Sequence, residues 1–139
     1  MCGILALIET PWEAAAAASL ATLHKRGPDA QDMVRLPGVV LGHARLAVID
    51  LAGGKQPMPT ADGRYTIVFN GEIYNFRSLS EELAARGHVF STQSDTEVIL
   101  RGYVEWRERV LLRLDGMFAF AIWDRDSRTL FAARDRVGI

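Results

Sequence analysis

An unbroken apolar run, Gly3-Ile4-Leu5-Ala6-Leu7-Ile8, begins almost at the amino terminus. Six apolar residues without polar alternation suit a strand covered on both faces. Such a strand demands neighbours on either side, so the chain must build layers around it. Its 139 residues, 49 % of them hydrophobic, are enough for one domain with a real core.

The rest of the chain supplies helices as well as strands. Thr10 reads as an N-cap, Pro11 as the first helical residue and Glu13 as the partner in a capping box. The alanine-rich helix that follows should run to about His24, since Gly27-Pro28 stops it. Val39 to Leu41 and Arg45 to Ile49 read as two short strands or one bent strand. The segment from Ala52-Gly53-Gly54 through Pro57 and Pro59 reads as a loop, and Asp62-Gly63 as a turn. Tyr65 to Phe69 is a strand ending at Asn70-Gly71. A helix is expected from about Phe76 to Arg86, with Leu79 and Leu83 on one face and Gly87 as its stop. Ser94 and Glu97 form a second capping box ahead of Val98, Ile99, Gly102, Tyr103 and Trp106 at helical spacing. Met117 to Trp123, the turn Asp124-Arg125-Asp126-Ser127 and Thr129 to Ala133 read as a hairpin. The sum is mixed α and β with antiparallel sheet.

A net charge of −1 gives no bulk attraction for nucleic acid or an anionic membrane. The first residues lack the basic region of a signal peptide. Ala14 to Ala18 is far shorter than the roughly 20 apolar residues of a membrane span. A single cysteine cannot form an intrachain disulfide and fits a reducing compartment, so a cytoplasmic location is expected. The chain stops at Ile139 directly after an apolar run, with no polar tail, which reads as a cut rather than a natural domain end.

That cysteine is Cys2. Removal of Met1 would make it the amino-terminal residue and place its thiol beside its own α-amine. The amine ordinarily titrates at about 7.7–8 and the thiol at about 8.5, both near working pH. A nucleophile paired with the terminal amine is a catalytic arrangement; a small apolar residue in a strand is the ordinary alternative. His24, His43 and His88 are scattered without metal-ligand spacing. Gly53-Gly54-Lys55 lacks the spacing of a phosphate-binding loop, and no serine nucleophile elbow is present. Polar residues at strand ends and helix starts remain. Arg45 could be a surface charge, Asn70-Gly71 a hairpin turn and Asp95 a complement to a helix dipole. The sequence after Asn70-Gly71 passes quickly toward a helix, however. So Asn70 could instead offer its amide, and Gly71 its N–H, to a developing oxyanion.

The opening Met1-Cys2-Gly3-Ile4 resembles the start of a class II glutamine amidotransferase domain, an amino-terminal-nucleophile (Ntn) hydrolase. Further blocks resemble its asparagine synthetase branch: Arg26-Gly27-Pro28-Asp29, Gly42 to Asp50, Phe69-Asn70-Gly71-Glu72-Ile73-Tyr74-Asn75, Ser94 to Ile99, Leu114 to Asp124, and Ala133 to Ile139. They cover essentially the whole chain and come in family order. Lys25 stands where the family usually has histidine, and Asp32 where a glycine is common.

The resemblance implies an α+β fold, an αββα sandwich of two antiparallel sheets, incomplete at its carboxy terminus. Residues 1–139 would be the amino-terminal part of a type 2 glutamine amidotransferase domain, with the synthetase domain absent. It implies that Cys2 attacks the side-chain carboxamide of L-glutamine with its α-amine as base, and that Asn70 and the Gly71 N–H form the oxyanion hole. Arg45 would hold the α-carboxylate and Asp95 the α-ammonium, with Leu46, Val48 and Glu72 completing the pocket. No metal or cofactor is expected in this domain; ATP and magnesium are implied for the missing synthetase domain, which would aminate aspartate. A homodimer is one state the resemblance allows. Two alternatives stand beside this reading. One is the glutaminase domain of an amidotransferase with another acceptor; the other is a non-catalytic, truncated glutamine-binding fragment.

Overall fold

The computed structural model describes residues 2–8, 13–46 and 54–138. Among them the order is β1 (Gly3–Ile8), α1 (Glu13–Thr22), β2 (Ala30–Leu36), β3 (Val39–Arg45), β4 (Met58–Pro59), β5 (Tyr65–Ile73), α2 (Phe76–Ala85), α3 (Asp95–Trp106), a 3-10 helix (Arg107–Leu112), β6 (Gly116–Asp124) and β7 (Thr129–Arg134). Two antiparallel sheets result, one ordered β1-β3-β2 and the other β4-β5-β6-β7. α1 packs on the first sheet, and α2 and α3 cover the second. This is the αββα sandwich that the resemblance implies.

Strand alternation assigns the layers. On β5, Tyr65, Ile67, Phe69 and Ile73 enter the core beneath α2 and α3, which also takes Leu79, Leu83, Val98, Ile99 and Tyr103. Val68 faces the other way, into an inter-sheet core with Val39, Leu41, Ala121 and Trp123, where Ile4 and Ala6 of β1 also pack. By the same parity Cys2, His43 and Asn70 belong to this inter-sheet layer, at the end where β1 begins and β3 finishes.

Several boundaries differ from expectation. α1 ends at Thr22, followed by a turn in which the Gly27 N–H donates to the Leu23 carbonyl at 3.2 Å. Here glycine is required by proximity: a Cβ on Gly27 would sit 2.1 Å from the Ala44 carbonyl group. β3 is one strand, Val39–Arg45, and it pairs along its whole length with β2, a strand the sequence does not announce. β5 does not stop at Phe69; it runs through Asn70-Gly71 to Ile73, paired with β6. β4, two residues long, lies in the segment expected to be loop. Ser94 caps α3, its hydroxyl accepting from the Glu97 N–H at 3.3 Å. Glu97 does not return the bond to Ser94; its carboxylate accepts from the N–H groups of Ser91 and Thr92 and so ties down the preceding loop. Thr10, Pro11, Val48 and the end of the expected Arg45–Ile49 strand lie outside the described residues. No helix among those described is long and apolar enough to cross a membrane.

Candidate active site

A cavity of about 150 Å³ opens at that end of the inter-sheet layer. Its wall includes Cys2, Arg45, Leu46, Asn70, Gly71, Glu72 and Asp95. Every site residue expected from the sequence is therefore present in one cavity except Val48, which is not among the described residues.

Cys2 sits just ahead of β1, where the register pairs Gly3 with Ala44 of β3. Its Sγ accepts from the Leu46 N–H at 3.3 Å and lies 3.5 Å from the Leu46 carbonyl, to which the thiol donates. Its own carbonyl accepts from Arg26 Nε at 3.2 Å. The thiol is thus fixed by the end of β3 and by the turn after α1. Arg26 was visible in the sequence only as part of a block, and this contact gives it a positional role.

β5 provides the second wall. Phe118, opposite Gly71 on β6, has both backbone groups engaged elsewhere: its N–H donates to Asp135 Oδ2 at 3.0 Å, and its carbonyl accepts from the Asp135 N–H at 2.8 Å. The N–H of Gly71 therefore faces the other edge of β5, together with those of Phe69 and Ile73. The Phe69 N–H donates to Gln56 Oε1 at 2.6 Å and the Ile73 N–H to Asp95 Oδ2 at 3.1 Å. Between them, no side chain or loop carbonyl among the described residues takes up the Gly71 N–H. Asn70 presents its amide from the adjacent position, with Oδ1 buried and without a protein partner. The Asn70 Nδ2 amide and the Gly71 N–H, from consecutive residues in the wall of the cavity that also holds Cys2, are donors of the kind an oxyanion needs.

Asp95 opens α3 at 5 % exposure. Burial pushes its carboxyl above the ordinary carboxylate range, and the nearby Glu72 pushes the same way. The N–H groups of Ile73 and Thr96 oppose both. A cation entering the cavity would lower that pKa and be held by the charge it stabilises.

His43, inside the same wall and 2 % exposed, has no partner for Nε2. Burial first, and the Arg45 charge second, hold its pKa down to about 4; the Phe69 backbone and Asp32 favour the charged form but lose. The ring is neutral at pH 7. A folded pKa below the unfolded value of about 6.5 means the unfolded chain binds the extra proton first. The stability involved is complete above about pH 6.5 and drains as pH falls toward about 4, to the extent of about 3 kcal/mol. Urea unfolding at pH 7 and pH 4 should show the parent losing that much more than His43→Gln. Equal losses would mean that His43 is not the group responsible.

The chain matches the glutamine amidotransferase domain family over residues 1–139. It is 53 % identical over 120 residues to asparagine synthetase (glutamine-hydrolysing) 3 of Bacillus subtilis strain 168, covering 85 % of this chain and 20 % of that protein. A putative asparagine synthetase (glutamine-hydrolysing) of Mycobacterium bovis is 45 % identical over 159 residues, covering 100 % of this chain and 24 % of the relative. The chain thus spans about a quarter or less of the length of these relatives. Among solved structures, the glutamine phosphoribosylpyrophosphate amidotransferase of B. subtilis, complexed with ADP and GMP, superposes with a TM-score of 0.59. It is 26 % identical and covers 73 % of this chain and 24 % of its own. Whole-length agreement with the family and a sandwich shared with an amidotransferase lead to one statement: the chain belongs to the glutamine amidotransferase domain family.

Proposed function

We propose that this chain is the glutaminase part of a glutamine-hydrolysing asparagine synthetase, releasing glutamate and ammonia from L-glutamine through a Cys2 thioester. The observation that carries the reading is the convergence of the Cys2 thiol, Asn70, the uncapped Gly71 N–H, Arg45 and Asp95 in one cavity. Glutamine is a zwitterion with a neutral amide at its far end. Arg45 suits its carboxylate, which an arginine grips with two parallel bonds. Asp95 suits its ammonium. Leu46 and Glu72 line the remainder.

Once Met1 is removed, the α-amine of Cys2 takes the thiol proton and Sγ adds to the carboxamide carbon. The oxygen of the tetrahedral adduct then carries the negative charge toward Asn70 and Gly71. The protonated amine returns its proton to the departing nitrogen, which leaves as ammonia rather than as its anion. Water adds to the remaining thioester, and glutamate leaves as Sγ recovers its proton. The ammonia would pass to an ATP- and magnesium-dependent synthetase domain that aminates aspartate, a domain in keeping with the much greater length of the relatives. A cytoplasmic setting goes with this reading.

The test is glutamate release from glutamine by the Met1-processed chain, alongside Asn70→Ala. Loss of one oxyanion donor should lower kcat by about 10²–10³ while KM changes far less, because the amide oxygen carries little charge in the ground state. A folded, Met1-free chain that binds glutamine without hydrolysing it would replace the enzyme reading with that of a binding fragment.

A further inference from the structure

Gln56 stands in a proline-flanked segment that carries no sequence signal for a site, yet it is 6 % exposed and forms part of the cavity wall. Both ends of its amide are committed. Oε1 accepts from the Phe69 N–H at 2.6 Å, and Nε2 donates to Thr96 Oγ1 at 3.2 Å. Phe69 precedes Asn70 on β5, and Thr96 follows Asp95 on α3. We infer that Gln56 is a positioning residue that sets the distance between the oxyanion donors on β5 and the ammonium clamp on α3. The inference rests on the glutaminase reading of the site.

The physical case comes from where the cross-ties fall. β5 and α3 are joined on one side of Gly71 by Asp95 Oδ2 and the Ile73 N–H at 3.1 Å. On the other side they are joined through Gln56. With one tie alone, the β5 edge can pivot against α3 about Ile73, and the Gly71 N–H swings with it. With two ties straddling Gly71, the donor is fixed relative to Asp95. The substrate makes that separation matter, because its α-ammonium and its amide carbon are joined by a short chain. A donor displaced by about 1 Å while the ammonium stays clamped can cost on the order of 10² in rate. A buried amide is also costly unless every polar atom is satisfied. Thr96 is itself only 3 % exposed, so its hydroxyl has the same requirement.

Gln56→Met keeps the length of the side chain and removes both bonds. Thr96→Val removes the Gln56–Thr96 bond alone, and Thr96→Ser restores it. In the Met1-processed chain, Gln56→Met should lower kcat for glutamine hydrolysis about tenfold, with KM changed by less than about threefold. Thr96→Val should act in the same direction, Thr96→Ser should recover to within about twofold, and the Gln56→Met/Thr96→Val pair should be no worse than Gln56→Met. An unchanged kcat in Gln56→Met, a loss carried by KM, or additive effects in the pair would overturn the inference. Amide exchange by NMR separates the tie from the activity. In Gln56→Met the amide of Phe69 should exchange at least about tenfold faster while those of Phe120 and Ile122 keep their rates. A uniform rise, or none, overturns the inference even when glutamate release is intact. If the unsubstituted chain releases no glutamate, the glutaminase reading fails by itself, and the exchange pattern still decides whether Gln56 holds the β5 edge.

Discussion

Protein that retains Met1 is expected to release no glutamate from glutamine, although it folds. The base proposed for Cys2 is its own α-amine, which titrates at about 7.7–8 as a free terminus. With Met1 attached, that nitrogen is an amide, and it can neither take the thiol proton nor pass one to the leaving nitrogen. The contacts that seat residue 2 do not depend on a free terminus. Leu46 holds the thiol through its N–H at 3.3 Å, and Arg26 holds the Cys2 carbonyl at 3.2 Å. Cys2→Ala keeps the second of these, so it too should fold. Removing the nucleophile of a cooperative catalytic set costs roughly 10⁴–10⁶ in turnover, which places Cys2→Ala at background. Intact mass gives the Met1-free fraction, and glutamate release should scale with it across preparations. Undiminished release from fully Met1-bearing protein would rule out the terminal amine as base.

Residue type at a marked position singled out candidates in the sequence, while the roles assigned to them came from the resemblance. Cys2 is the sole cysteine, Arg45 sits in an apolar stretch and Asp95 stands directly after a capping serine. Mixed α and β with antiparallel sheet was legible from the Met117–Ala133 hairpin and the periodicity of α2 and α3, and the two-sheet sandwich came from the resemblance. The Gly3–Ile8 run is a strand as expected but an end strand only half-buried, with Ile8 exposed, rather than one covered on both faces. What escaped did so because its cause is remote in sequence. β2, Ala-Gln-Asp-Met-Val-Arg-Leu, has neither a regular apolar alternation nor an unbroken apolar run to declare itself and exists as an edge strand on β3. Asn70-Gly71 carries the composition of a turn, yet pairing with β6 across Ala119 and Phe118 holds it in a strand. Local preference yields there to tertiary contact. Gln56 is silent for the same reason. Its two partners, Phe69 and Thr96, lie 13 and 40 residues away, and a lone glutamine between a lysine and a proline announces neither.

The strand pairing that overrides the turn signal also leaves no room for a side chain at Gly71. Its φ is +147°, a region that L side chains rarely adopt, and a Cβ there would lie 2.1 Å from the Met117 carbonyl oxygen and 2.7 Å from Phe118 Cα. Both obstacles are backbone, so no side-chain rearrangement relieves them. Backbone strain of about 1–3 kcal/mol and overpacking of about 1–3 kcal/mol together put Gly71→Ala at about 2–6 kcal/mol. That is a large part of the 5–15 kcal/mol typical of a whole domain, a range of about 0.05–0.15 kcal/mol per residue. The fraction that folds must push β5 away from β6 at this point and so move the Gly71 N–H, with a further loss of about 10²–10³ in kcat expected from a displaced oxyanion donor. Gly87→Ala is the control. Gly87 also has a positive φ, +96°, but nothing lies within 4 Å of its absent Cβ. Its replacement should therefore cost only the strain of the conformation, about 1–3 kcal/mol, and leave kcat of the folded protein unchanged. Urea unfolding combined with turnover per folded molecule separates the two glycines. Gly71→Ala protein with parental stability and parental kcat would mean that the approach of β5 to β6 does not set the donor, and the oxyanion would have to be held elsewhere in the cavity.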